Sequence, residues 1–401
     1  MPPSPPAASS STRSRRGCRS GNTNAMPMAT QAGGIPTRPN AEPGLKTEGV
    51  IMRIHRLKHA FAGVLLATGV MVATGPLAAG ELLVGNKSAD TVWRLSLEDG
   101  RRIGTVATGV APHEIAVSPD GRRAVVTNYG NADVPGNSLT VLGLEGGEAP
   151  RTVSLGDHGR PHGVRFLPDG RRVAVTTEAS HSLLVVDIDA EAGADPVQSV
   201  IEIGDGLGHM VALSDDGGTA WVSKIVAGTV SRIDLGEGRK TVEAASGEGA
   251  EGIAWRNDVE EGGEVWVSNR AAGTVTVHAP DTLEIRHTLE SPGFPIRVVF
   301  TADGGHALVT NARAGELAVF DAGTKTRVAT VNLLREDGGG YQETLLGRDA
   351  LPIGVIADPK RPRVYVAISG ADEIAVIDTG SWKVIDHWPT GREPDALGIV
   401  E

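Results

Sequence analysis

The chain has 401 residues, with 38 Lys and Arg against 49 Asp and Glu for a formal net charge of −11, and 53 Gly, 24 Pro, one Cys and 3% aromatic side chains. A surface this acidic repels phosphate backbones, which argues against nucleic acid as a partner. A lone cysteine rules out a disulfide framework and a covalent c-type haem motif.

Residues 1–51 begin MPPSPPAASSSTRSRRGCRSGNTNAMPMATQ, rich in Pro, Ser and Arg and almost free of apolar periodicity. Such a stretch cannot bury enough surface to offset its ordering entropy, so it reads as a disordered leader or an upstream extension. A second start lies at Met52. Residues 52–80 have a basic opening (Arg53, Arg56, Lys58), an apolar run from Ala60 to about Ala73, and small residues Ala78 and Gly80 ahead of Glu81, the layout of an export signal. The run is shorter than the roughly 20 residues of a membrane span, so no span is expected after cleavage and the protein is expected in the periplasm or secreted. The first 80 residues hold nine Lys or Arg and two acids. Residues 81–401 therefore carry 29 basic and 47 acidic side chains, a net of −18, and no cysteine, because Cys18 leaves with the leader.

From Glu81 onward one phrase recurs. It reads APHEIAVSPDG (111–121), RPHGVRFLPDG (160–170), LGHMVALSDDG (207–217), GAEGIAWRND (249–258), FPIRVVFTADG (294–304), LPIGVIADPKR (351–361) and EPDALGIVE (393–401). Each full copy is followed by a second run (AVVTN, VAVTT, AWVSK, EVWVSN, ALVTN, VYVAI), a third (SLTVLGL, SLLVVDI, TVSRIDL, TVTVHAP, ELAVFDA, EIAVIDT) and a weaker fourth. Four short β-rich runs per 40–50 residues are the mark of propeller blades, which bury their faces only against neighbours and so close into a ring. The last phrase stops after one strand, while LLVGN, TVWRLSL and RRIGTVATG at the start match strands two, three and four. The expectation is an all-β, seven-bladed β-propeller of four-stranded antiparallel blades over 81–401, closed by pairing of its N- and C-terminal strands. Such a ring leaves few free sheet edges, and a monomer is expected.

The repeated P-H-G-x-x-x-x-P-D-G, followed by V-x-V-T-N and V-x-V-I-D, resembles the YVTN-type seven-bladed propellers, the YncE-like exported proteins. The resemblance implies the fold and an exported location. It implies no single function, since similar repeats occur in lactonases, in lyases and in cofactor-carrying subunits.

In antiparallel blades every strand-one start lies on one face of the disc. The residues after the anchor are His113, His162, His209, Glu251, Ile296, Ile353 and, in the closing blade, Asp395. In ring order Asp395, His113, His162, His209 and Glu251 are contiguous, and the other side of the mouth is apolar. His113, His162, His209 and Glu251 are candidate ligands of a divalent metal such as zinc or copper. The same groups could serve as general acid–base residues, or each His could simply bond a carbonyl at the blade entrance. The second-run ends Asn86, Asn128, Asn269 and Asn311 read as residues bonding their own turns. Lys224 replaces Asn in that series and is a candidate for an anionic group. Two insertions, 131–137 and 334–350, fall at the same mouth, and Tyr341 of the longer one is expected to overhang the Ile296 and Ile353 side as a lid would. Trp221 and Trp266, at equivalent positions, read as packing between blades.

Two functional classes follow. One is a non-catalytic propeller presenting a small-molecule or protein site at its channel mouth. The other is a metal-assisted hydrolase, lactonase or lyase at the His-rich half. The cofactor is not readable beyond a divalent metal as candidate, and GEGAEG (247–252), which precedes a strand rather than a helix, is a turn and not a dinucleotide site.

Overall fold

A computed structural model describes residues 80–257, 262–335 and 339–401. The expectations for residues 1–51 and for the signal peptide at 52–80, Gly80 apart, lie outside the described residues. Among the described residues there are twenty-eight strands, β1 to β28, arranged as seven four-stranded antiparallel sheets. The innermost strands of successive blades are β4 (Pro112–Val117), β8 (Pro161–Phe166), β12 (Gly208–Leu213), β16 (Ala250–Arg256), β20 (Pro295–Phe300), β24 (Pro352–Ala357) and β28 (Pro394–Val400). Each touches the next, and β28 touches β4, so the ring closes. The closing blade pairs β28 with β1 (Glu81–Asn86) in the register Leu82↔Ile399 and Val84↔Leu397. The propeller and its fastening by both chain ends are as the repeats predict.

Seven apolar clusters, one at each blade interface, make the core. Between the first two blades Val125 and Leu139 meet Val164 and Val175, all fully buried, and each such side chain contributes about 1.5–3 kcal/mol. Trp221 stacks on Trp255 of the next blade at 4.7 Å, and Trp266 meets Phe300 edge-on at 5.6 Å, as expected of interblade packing.

The start of each inner strand is irregular in the same way. The residue before the anchor has a positive φ: Ala111 (53°), Arg160 (55°), Leu207 (63°), Gly249 (75°), Phe294 (72°), Leu351 (51°) and Glu393 (52°). Next comes a bulge, with register shifts between Pro112 and Ile115, Pro161 and Val164, and Gly208 and Val211. A bulge re-aims side chains, and here it frees His113 and Glu114, and their counterparts, from the pairing pattern.

A hydroxyl in the second strand holds the bulge in five of the seven blades. Thr176 Oγ1 accepts from the Gly163 backbone N–H at 2.8 Å and donates to the carbonyl of His209 in the next blade at 2.6 Å. Thr127 does the same for Glu114 and His162, Ser268 for Gly252 and Ile296, and Thr310 for Arg297 and Ile353. Ser223 does the same for Met210 and Glu251, and in the sixth blade Ser369, two residues past the matching Ala367, bonds the Pro394 carbonyl. The T of V-T-N is thus a staple between blades. Thr176→Val keeps the shape, removes the hydroxyl and strands a buried N–H and a buried carbonyl, which should lower stability by about 2–3 kcal/mol. Thr176→Ser should retain most of it. Chemical denaturation checks this, and equal stability of the Val and Ser variants would contradict the staple.

Candidate functional site

The bulges deliver the seven anchor side chains to one mouth of the channel. The His113 and His162 ring centroids are 4.0 Å apart, and those of His162 and His209 are 3.5 Å apart. Asp395 Oδ2 lies 3.3 Å from His113 Nδ1, and Glu251 Oε1 lies 3.5 Å from His209 Nε2. The arc predicted from the repeats is therefore one continuous cluster. All five side chains are buried, and His162 is 0% exposed. Ile296 is buried opposite, with Ile353 beside it.

The histidines do not bond blade-entrance carbonyls through their rings. His113 Nε2 accepts from Lys87 Nζ at 3.0 Å, and His209 Nδ1 bonds Glu178 Oε1 at 2.6 Å. Neither ring nitrogen of His162 has a protein partner.

A second ring reinforces the first, one residue beyond the end of each second strand. It supplies Lys87, Tyr129, Glu178 and Arg270. Tyr129 donates its hydroxyl to Glu178 at 2.5 Å, and Arg270 pairs with Glu251 at 2.8 Å. Burial and the neighbouring Glu178 carboxylate push the Tyr129 phenol up to about 12. A third contribution comes from the residue two places after the anchor. That position is Gly in three blades, because a Cβ at Gly163, Gly252 or Gly354 would collide with the backbone of the next blade. In the first and fifth blades it is Glu114 and Arg297, which meet across the channel at 2.5 Å. Arg297 also lies 3.7 Å from both Glu251 and Asp395, so an ion-pair layer spans the hub below the histidines. The last residue of the second run and the residue after the anchor each lie one position short of these sets. For Glu114 and Arg297 the signal was a charge standing where most copies carry Gly or Ala.

This layer sets the protonation of the arc. Burial, with help from Lys87 and Arg297, holds His113 well below the ordinary imidazole value. Burial, then His113 and His209, does the same for His162. Burial also opposes charge on His209, but the Glu178 and Glu251 carboxylates outweigh it and raise that residue. Neutral imidazoles are metal-ligating. Ligand atoms of His162, His209 and Glu178 lie within 4.8 Å of one another, as do those of His113, Glu114 and His162. Glu251, the carboxylate expected among the ligands, is instead engaged by Arg270 and His209.

Two other expectations are corrected. Lys224 is 1% exposed, and its ammonium donates to Glu243 at 2.8 Å and to the Ile203 carbonyl at 3.1 Å, so it is not turned to an external anion. Tyr341 packs against the core between the fifth and sixth blades and accepts the Arg335 N–H through its hydroxyl at 2.8 Å. The residue of that insertion lying on the Ile296 and Ile353 side is Leu346, with Leu345 beside it 94% exposed. The Asn residues span their turns, but by donating to third-strand side chains (Asn86 to Thr91, Asn269 to Thr274, Asn311 to Glu316) rather than to the turn backbone. Asn128 accepts from Gly109 N–H, on the connection entering its blade, and donates to Ser138 of the third strand.

The fold and hub define a seven-bladed β-propeller with a charged, histidine-bearing channel. Among solved structures the chain is similar to a functionally unknown protein from Desulfotomaculum acetoxidans (TM-score 0.64, 17% identity, covering 80% of this chain and 99% of that one). It is similar also to PpgL, a periplasmic gluconolactonase from Pseudomonas aeruginosa (TM-score 0.62, 20% identity, again 80% and 99%). At such identities the likeness is one of fold. No protein-family model and no curated protein matches the chain.

The Lys224 pair carries a pH signature. Burial opposes the Glu243 charge, but bonds from Lys224, Lys240 and Thr229 outweigh it and hold the carboxyl at about 2, below its ordinary 4.5. A carboxylate depressed on folding stabilises above its unfolded value, and that contribution is lost as pH falls toward the folded one. Glu243→Gln should cost about 2 kcal/mol at pH 7. The gap to the parent protein in urea denaturation should narrow between pH 4.5 and pH 2; a gap independent of pH over that range would refute the assignment.

Proposed function

We propose that this protein is an exported, ligand-binding propeller whose histidine-bearing mouth holds one divalent transition-metal ion. The observation that carries the reading is His162: fully buried, flanked by two further imidazoles, with both ring nitrogens unpartnered. A buried polar side chain without a partner costs about 1–3 kcal/mol, and an ion would remove that cost. His162 is common to both candidate ligand triads, with His209 and Glu178 or with His113 and Glu114. Two imidazoles and a carboxylate are a donor set suited to zinc and its neighbours. Beside the arc a cavity of about 40 Å³, bounded by Lys87, Leu346, Ile353 and Asp395, is too small for a sugar acid. Export is supported by the basic and apolar leader at 52–80, by the YVTN-type, YncE-like repeats and by the periplasmic location of PpgL.

A second reading is lactone hydrolysis. It is favoured by His209, whose Nδ1 is clamped on Glu178 as the imidazole of a general base would be, and by the gluconolactonase among the similar folds. A substrate would require the loop bearing Leu345 and Leu346 to lift.

Elemental analysis of the full chain, purified without chelator and then incubated with zinc or copper, tests the first reading. One ion per chain is expected, with affinity falling at least about 100-fold in His162→Ala. Protein that stays metal-free, or whose metal survives that substitution, refutes it. Hydrolysis of glucono-δ-lactone by metal-free protein, abolished in His209→Ala, would establish the second reading in its place.

A further inference from the structure

The opposite mouth of the channel is built differently. There the inner strands end in their hairpins, and a cavity of about 510 Å³ opens among them. Its walls are apolar, with Phe166, Met210, Ile253, Val298, Ile356 and Leu397, and its floor is the Glu114–Arg297–Asp395 layer. That volume lies within the range of small-molecule sites.

One side chain is out of keeping with these walls. Four residues past the anchor the seven inner strands carry Ala116, Arg165, Ala212, Ala254, Val299, Ile356 and Gly398. Six are aliphatic or Gly, and the seventh is an arginine. Arg165 lines this cavity and also the adjoining one, about 600 Å³, bounded by Leu213, Trp255 and Phe300. Its one hydrogen bond is to the carbonyl of its neighbour Val164 at 2.9 Å, and it forms no ion pair among the described residues. The contrast with Arg297 is direct. That guanidinium sits among three carboxylates, whereas Arg165 keeps the rest of its fork of donors turned to an apolar space. Arg165 is half-buried, and the carboxylate that offsets its charge, Glu114, is already bonded to Arg297, an incomplete compensation that is costly to hold. A guanidinium is also the group best suited to take a planar carboxylate through two parallel bonds.

We propose that this second mouth is a binding site for a small monocarboxylate with an apolar body, its carboxylate held by Arg165 and its body by the aliphatic and aromatic walls. Charge and apolar surface occur together there, so neither a sugar nor a polyanion fits as well. A polyanion would meet Glu114 and Asp395 on the floor, and a sugar would leave its hydroxyls against Phe166, Ile253 and Val298. The site uses none of the histidines and shares with the metal reading only Glu114, on its floor.

Octanoate and its uncharged counterpart octanamide are the probes, titrated into the full chain by calorimetry and by Trp fluorescence, with Trp255 as a reporter in the wall. Octanoate is expected to bind saturably, one per chain, and octanamide at least about tenfold more weakly, the loss that accompanies removal of a charged hydrogen bond. Arg165→Gln should weaken octanoate by about tenfold or more while leaving octanamide unchanged. Arg165→Lys, which keeps the charge without the fork, should fall between. Thermal unfolding of each variant establishes that it is folded, and the comparison of the two probes on the unaltered protein needs no variant. Equal affinity for the two probes, octanoate binding that is indifferent to Arg165→Gln, or no saturable binding would each overturn the proposal.

Discussion

A hydroxyl shared between neighbouring blades is the interaction on which the hub depends. An inner strand that begins with a left-handed residue and a bulge would leave a backbone N–H and a carbonyl unpaired in the middle of the ring. The Thr or Ser of the second strand satisfies the first within its own blade and the second in the next. Its geometry fixes how far each blade is rotated about the channel, and so where each anchor side chain points. The seam between the closing blade and the first lacks the device, because Gly85 occupies the hydroxyl position and admits Ala396 closely. There the blades are joined by charge instead, with Lys87, Asp395 and His113 in mutual contact.

With the backbone so fixed, electrostatics differentiates residues that the repeat makes equivalent. His113, His162 and His209 occupy the same position of successive blades. The first two face cations and one another and are pushed toward neutrality, whereas the third lies between Glu178 and Glu251 and is held toward its charged form. Arg297 shares itself among Glu114, Glu251 and Asp395, and burial raises the Glu114 carboxyl despite that guanidinium. Buried charge networks of this kind contribute little net stability. Their effect here is to divide the channel, leaving a small polar mouth above and a wide apolar one below.

The fold was legible because a ring repeats its instructions. Seven copies of one phrase, with the chain ends completing a blade, defined strand order and closure before any coordinate. The arc was legible for the same reason, since one position per blade becomes one ring in space. What the repeats could not show was the role of the commonest letters. The T of V-T-N reads as a β-former and is an interblade staple, and Asn128 reads as a turn residue and instead ties the entering connection to the third strand. Tyr341 was misplaced because the insertion folds back on the blade interface, a tertiary preference no local pattern encodes, and Leu346 takes the place over the mouth.

Departure from a repeat is therefore ambiguous until its partners are known. Lys224 and Arg165 are both cations where sibling blades carry something else. Lys224 arrives with its own compensation: it donates to Glu243 on the same blade and to the Ile203 carbonyl. The ammonium cannot accept as a sibling Asn does, but both of its bonds stay within the protein, so the substitution is absorbed there. Arg165 brings no such partner, although Glu114 belongs to the neighbouring blade and bonds Arg297 instead. In a fold built from repeated neighbours, a charge offset only by a carboxylate that another residue already holds is free to meet what enters the channel. The same reasoning separates His162 from its two siblings: equal in sequence position and burial, it alone lacks a protein partner at both ring nitrogens.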